Sequence, residues 1–134
     1  KNEDLFIHQC QAGESVFKDR SVLIIEDDPD ILSFVTLLLK KQGFLNVRGC
    51  RSFFEAKRII GEHSFDVVFT DLKLGDGNGV DLCQLIEQET NQLTDIWIMT
   101  GQLGTSKHLN NAYPVIHKPF TATQLEQFVV QHMH

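Results

Sequence analysis

Nowhere in the 134 residues is there a run of about 18 apolar residues, the length a helix needs to cross a bilayer. No membrane span is therefore expected. In the first twenty residues Lys1, Glu3, Asp4, Glu14 and Lys18 interrupt the apolar ones, which is not the pattern of a secretory leader. Cysteine is scarce. Cys10, Cys50 and Cys83 are odd in number, far apart and without C-x-x-C spacing, so neither a disulfide framework nor a zinc site is expected. They read as reduced thiols of a cytoplasmic protein. Basic side chains are outnumbered, 12 against 18 acidic, and the formal charge of −6 has the wrong sign for holding nucleic acid through its phosphates. Repeats and low-complexity tracts are also lacking. The six histidines (His8, His63, His108, His117, His132 and His134) have no ligand spacing and read as surface or part-buried imidazoles.

What the chain does have is enough apolar content, 42%, for one domain with a core. Folding at this length buries about two-thirds of the unfolded surface. From Ser21 onward short apolar runs alternate with segments of helical period. Val22 to Ile25, Asp66 to Thr70, Ile96 to Met99 and Val115 to Ile116 read as strands, with Asn46 to Cys50 a weaker strand at the edge. Their continuous rather than alternating hydrophobicity suits strands covered on both faces, hence a mostly parallel sheet between helix layers. Between them lie apolar stripes at helical spacing: Ile31, Phe34, Val35, Leu38 and Leu39; Phe53, Ala56, Ile59 and Ile60; Leu82, Cys83 and Ile86. Asp28 before Pro29 is a helix start and Gly43 a helix stop. The last helix is expected to open near Thr121 or Thr123, with Glu126 close behind the cap and Leu125, Phe128 and Val129 on one face. Phe53, Phe54 and Trp97 read as core or helix-packing residues. The expected architecture is α/β, (βα)5, a doubly wound parallel five-stranded sheet. Residues 1–20 form an N-terminal extension or linker and 21–134 the domain.

Such a sheet holds its site at the carboxyl ends of the strands. Glu26, Asp27 and Asp28 stand where the first strand ends and Asp71 where the third ends. Two carboxylates roughly 5 Å apart repel by about 3 kcal/mol at an effective dielectric near 20, which calls for a cation or proton between them, and a hard divalent ion is the natural one. Thr100 closes the fourth strand and Lys118 the fifth. Acids, hydroxyl and amine on one rim describe a site that handles a phosphoryl group. Gly75, Asp76, Gly77, Asn78 and Gly79 read as a turn whose glycines supply unusual backbone angles; the spacing fits no P-loop.

Four motifs then stand in order at successive strand ends: I-I-E-D-D-P at 24–29, F-T-D-L-K-L-G-D-G-N-G at 69–79, M-T-G at 99–101 and K-P-F at 118–120. Each is weak alone, but together, across residues 21 to about 132, they closely resemble the receiver domains of two-component response regulators. The resemblance implies a flavodoxin-like fold with strand order 2-1-3-4-5 and a signalling switch rather than an enzyme. Asp71 becomes the phosphoacceptor, supplied by a histidine kinase or phosphotransfer protein. Mg²⁺ is bound by Asp27 directly, by Glu26 through water, by Asp71 and by the backbone carbonyl of Lys73. Lys118 and Thr100 receive the phosphoryl oxygens, and Asp28 remains a helix cap. Partners implied are an output domain or downstream protein, with a homodimer allowed. In the family a cis peptide precedes the proline that stands here as Pro119. The chain departs from the pattern at Val115, where many receivers carry an aromatic switch residue that Tyr113, behind Pro114, does not replace. It also departs in the shortened stretch from Gly101 to Pro114, expected to hold a short or irregular helix. Those departures motivate a second reading, a phosphorylation-independent interaction module. An aspartate-nucleophile phosphatase is remote, because Lys73 stands where its second acid is needed.

Overall fold

Along each central strand the side chains alternate between two separate cores, which is why the runs are apolar throughout. Residues 17–91, 93–101 and 112–133 are described by the computed structural model. The strands are β1 (Ser21–Ile25), β2 (Asn46–Cys50), β3 (Val67–Asp71), a two-residue pair β4 (Lys73–Leu74) and β5 (Gly77–Asn78), β6 (Asp95–Thr100) and β7 (Val115–His117). The helices among the described residues are α1 (Pro29–Lys41), α2 (Phe53–Glu62), α3 (Gly79–Thr90) and α4 (Ala122–His132). Leu23, Ile25, Val68, Ile96 and Ile98 face α2 and α3, meeting Ala56, Ile59, Ile60, Leu82, Cys83 and Ile86. Val22, Ile24, Val67, Phe69, Trp97 and Met99 face the other way, against Val35, Leu38 and Leu39 of α1 and Leu125, Phe128 and Val129 of α4. Phe69, Trp97 and Phe128 interlock there, with ring centroids 5.6 to 5.9 Å apart.

The main sheet is parallel, in the order β2-β1-β3-β6-β7. With the small antiparallel pair β4–β5 set aside, this is the expected 2-1-3-4-5, and β2 is the edge. Of the stretch from Gly101 to Pro114, expected to hold a short or irregular helix, residues 102–111 lie outside the described residues. Ahead of β1, Phe17 stacks on Phe44 with centroids 4.9 Å apart, on the α1 side of the core.

Helix ends follow local chemistry. Asp28 accepts from the amides of Asp30 and Ile31, with Pro29 at the first helical position. Gly43, at φ 113°, takes the left-handed conformation that lets the chain leave α1. Three expectations need correcting. The cap of α4 is Thr121, one of the two expected positions, and the change is in its partner: the reciprocal capping box forms with Gln124, three residues on, rather than with Glu126. Phe54 is 73% exposed, on the outer side of α2, so only Phe53 and Trp97 pack inward. The stretch from Lys73 to Asn78 is a miniature hairpin, and its glycines do not adopt positive φ. Space explains Gly77 and the following Gly79: a Cβ on Gly77 would lie 2.7 Å from the Phe53 ring, and one on Gly79 2.7 Å from the Asp71 carbonyl oxygen, whereas one on Gly75 would meet nothing nearer than Asp27 Oδ2 at 4.0 Å.

Candidate functional site

Register brings the charged residues together. Ile25 pairs with Thr70 across β1 and β3, so the next step along each strand sets Glu26 beside Asp71. On the far side Thr100 pairs with His117 at the end of β7, and Lys118 follows, its amide donating to the Thr100 carbonyl at 2.8 Å. The Lys118–Pro119 peptide is cis.

Lys118 Nζ donates to Glu26 Oε1 at 2.6 Å and to Asp71 Oδ2 at 2.8 Å. Glu26 is fully buried, Asp71 and Thr100 nearly so. The other Glu26 oxygen accepts from the Asp28 amide at 3.0 Å, and Asp71 Oδ1 accepts from the Lys73 amide at 3.2 Å. Burial pushes the Glu26 carboxyl above the usual carboxylate range, against the opposing pull of its Lys118 hydrogen bond. Burial alone would lower the Lys118 ammonium. Its hydrogen bonds to Asp71 and Glu26 outweigh that and hold it above the ordinary lysine value. Lys118 thus supplies one compensating cation between Glu26 and Asp71, the role the sequence argument gave to a cation or proton.

Asp27 sits apart on the solvent side, exposed, yet one carboxylate oxygen each from Glu26, Asp27 and Asp71 all lie within 4.8 Å of one another. Three hard oxygen donors at that spacing suit Mg²⁺ or Ca²⁺ better than a soft metal. This is the one such group of acids, cysteines and histidines among the described residues, so the described histidines stay outside it. Asp28 is occupied in capping α1.

All five side chains named from the sequence thus line one rim: Glu26, Asp27 and Asp71 as a cluster, Lys118 bridging two of them, Thr100 buried at the end of the adjoining strand. Lys73 is brought in through its backbone. Tyr113 is not. Its hydroxyl donates to Glu87 Oε2 of α3 at 2.6 Å, away from the rim, and Val115 occupies β7. One residue carried no signal. Asp76, read as a turn residue, accepts from the amides of Phe53 at 2.7 Å and Phe54 at 3.0 Å, and its partners stand 22 and 23 positions away.

The response regulator receiver domain family matches residues 22–130. The response regulator protein PilR of Pseudomonas aeruginosa is 32% identical over 114 residues, covering 82% of this chain and 25% of that protein. The photosynthetic apparatus regulatory protein RegA of Cereibacter sphaeroides is 31% identical over 93 residues, 67% of this chain and 50% of that protein. Among solved structures, the non-phosphorylated HemR receiver domain of Leptospira biflexa superposes with a TM-score of 0.75 at 26% identity, covering 84% of this chain and 93% of the other. A response regulator receiver domain from Clostridium thermocellum gives 0.72 at 28% identity, covering 84% and 92%. The chain spans half or less of the length of the curated relatives it matches. Among the described residues no helix is long and apolar enough to cross a membrane. With the doubly wound sheet, the acidic group at its carboxyl edge and a family match over most of the chain, this protein belongs to the response regulator receiver domains, the signalling modules of two-component systems.

Proposed function

We propose that this chain is a phosphorylation-dependent switch that accepts a phosphoryl group on Asp71 from a histidine kinase or phosphotransfer protein. The observation that carries the reading is the Asp71 carboxylate, nearly buried, held on one oxygen by Lys118 and on the other by the Lys73 amide, with Glu26 and Asp27 alongside. Two anchored oxygens present Asp71 as an oriented nucleophile. An Asp71 oxygen forms a bond to phosphorus as the phosphorus–nitrogen bond of a phosphohistidine breaks, and the electron pair leaves with the imidazole nitrogen. Lys118, already bonded to Asp71, turns to the nonbridging phosphoryl oxygens. Thr100, one strand over, follows as a hydrogen-bond donor and carries the loop behind it, which biases a two-state equilibrium. Glu26, Asp27, Asp71 and the Lys73 backbone carbonyl are the ligands we assign to Mg²⁺, which when bound screens the charge gathering on the phosphoryl oxygens.

In this reading residues 1–20 are an extension or linker and 21–134 the phosphoacceptor domain of a cytoplasmic protein. The output is an attached domain or a separate protein, and relatives named as transcriptional regulators support that. Donor proteins approaching Lys118 meet an apolar depression of about 320 Å³ bordered by Ile31, Phe34, Pro119 and Phe120. Incubation with acetyl phosphate and Mg²⁺ tests the assignment by mass spectrometry. Wild type is expected to gain one phosphoryl group and Asp71→Asn none; equal labelling of the two, or none in either, overturns it.

A further inference from the structure

The first amides of a helix have no acceptor within it and must find one elsewhere. In α1, α3 and α4 the capping side chain is the local one: Asp28, Asn78 or Thr121. α2 is different. Its own cap, Ser52, accepts only from the Glu55 amide at 3.1 Å. The amides of Phe53 and Phe54 are taken instead by the two oxygens of Asp76, at the tip of the hairpin that follows Asp71.

That hairpin is fastened at three places. At its start the Lys73 amide donates to Asp71 Oδ1. At its end the Gly79 amide donates to the Leu72 carbonyl at 2.7 Å, while Asn78 caps α3. The tip is the third. There the backbone of Gly77 lies so close to Phe53 that a Cβ would meet the ring, and Asp76 grips the end of α2 beside it. The anion also faces the positive end of the helix dipole, and the amide of Phe54, then that of Phe53, holds its carboxyl below the usual range. Lys73 pairs with Asn78 within the same hairpin, so its peptide moves with the tip.

We propose that Asp76 is a positioning residue for the metal and phosphoryl site, using α2 as the anchor that fixes the Lys73 peptide beside Asp71. It touches neither metal nor phosphoryl group. The inference rests on the assignment of Asp71 and the Lys73 carbonyl made above. Its prediction is a split between stability and metal affinity. Ser52→Ala and Asp76→Ala each remove a cap from the same helix, but of these two side chains only that of Asp76 bonds the helix to the hairpin.

The test is calorimetric titration of the unphosphorylated 134-residue chain with Mg²⁺ for wild type, Ser52→Ala, Asp76→Ala and Asp76→Asn, alongside acetyl phosphate labelling and thermal melts. Both alanine variants are expected to melt lower than wild type. Asp76→Ala should bind Mg²⁺ roughly tenfold more weakly and need correspondingly more Mg²⁺ for half-maximal labelling. Ser52→Ala should stay within about twofold of wild type, as a pure cap does. Asp76→Asn, with one acceptor oxygen left, should fall between wild type and Asp76→Ala. Unchanged Mg²⁺ affinity in Asp76→Ala, or an equal loss in Ser52→Ala, overturns the proposal and leaves Asp76 a helix cap. If wild type neither binds Mg²⁺ nor takes up a phosphoryl group, the assignment of Asp71 falls and this inference with it.

Discussion

Glu26 and Asp27 are neighbours in the chain and alike in chemistry, yet the fold treats them oppositely. Glu26 is fully buried, bonded to an ammonium and an amide; Asp27 is exposed. The inner half of the cluster, with Asp71 and Lys118, is a closed set in which each charge answers another. The outer half faces water, which screens it. The inner half therefore carries structural consequences and the outer half chiefly ligand-binding ones.

The strongest way to break this contrast is Lys118→Met, which leaves two buried carboxylates without their cation. Unfolding by urea at neutral pH should show a loss of about 3 to 5 kcal/mol. The pH dependence sharpens it. Glu26 in the folded protein already holds its proton to higher pH than in the unfolded chain, so falling pH favours the fold. The Lys118→Met deficit should accordingly narrow as the pH drops through the carboxylate range, and a deficit that stays constant would contradict the buried-charge account.

A smaller effect is expected at Lys73, whose exposed ammonium stands two residues beyond Asp71. With Asp71 as the proposed phosphoacceptor, its removal is expected to change the barrier for water attacking the acyl phosphate by about 1 kcal/mol, or roughly fivefold in rate. Lys73→Ala should shift the phosphorylated lifetime, read by loss of phosphoryl mass over time; an unchanged dephosphorylation rate counts against a role for that charge. Asp27→Asn should alter stability by less than about 1 kcal/mol while weakening Mg²⁺ binding in the same calorimetric titration. A large loss of stability there would erase the distinction between the two halves.

An effect confined to alkaline pH, and so smallest near neutrality, lies in the core between the sheet and α2 and α3. Burial pushes the thiols of Cys50 and Cys83 up to about 12 from an ordinary value of 9.0. In the folded state they keep their protons where the unfolded chain has lost them, so stability is complete below pH 9 and declines from there toward 12. Cys83→Ala should flatten that alkaline decline. Cys50 and Cys83 should also react with alkylating reagent at pH 8 far more slowly in the folded than in the unfolded protein, read site by site by peptide mass spectrometry.

Much of the fold is legible because its strands are buried on both faces and spell themselves as Val-Leu-Ile-Ile or Val-Val-Phe-Thr, which only a covered parallel sheet requires. Helix starts are legible where the cap is local, as at Asp28. Thr121 was ambiguous with Thr123 because both have a polar residue three positions on, Gln124 and Glu126. Phe54 misled, since an aromatic beside a packed one reads as core until the helix phase is known. In the candidate site the acids, Thr100 and Lys118 could be grouped because each ends a strand and all parallel strands end on one side.

The order of short two-sided strands and amphipathic helices, and with it the rim where the polar residues collect, was determined by the sequence alone, through local periodicity. Which acid is buried, which cation answers it and which turn residue holds a distant helix were decided only by the tertiary structure. The bond from Lys118 to Glu26 spans 92 positions and those between Asp76 and α2 more than 20, and all form between groups with no local pattern in common. Hydrogen bonding and desolvation act through space, and a turn aspartate looks the same in sequence whether it meets water or the open end of a helix.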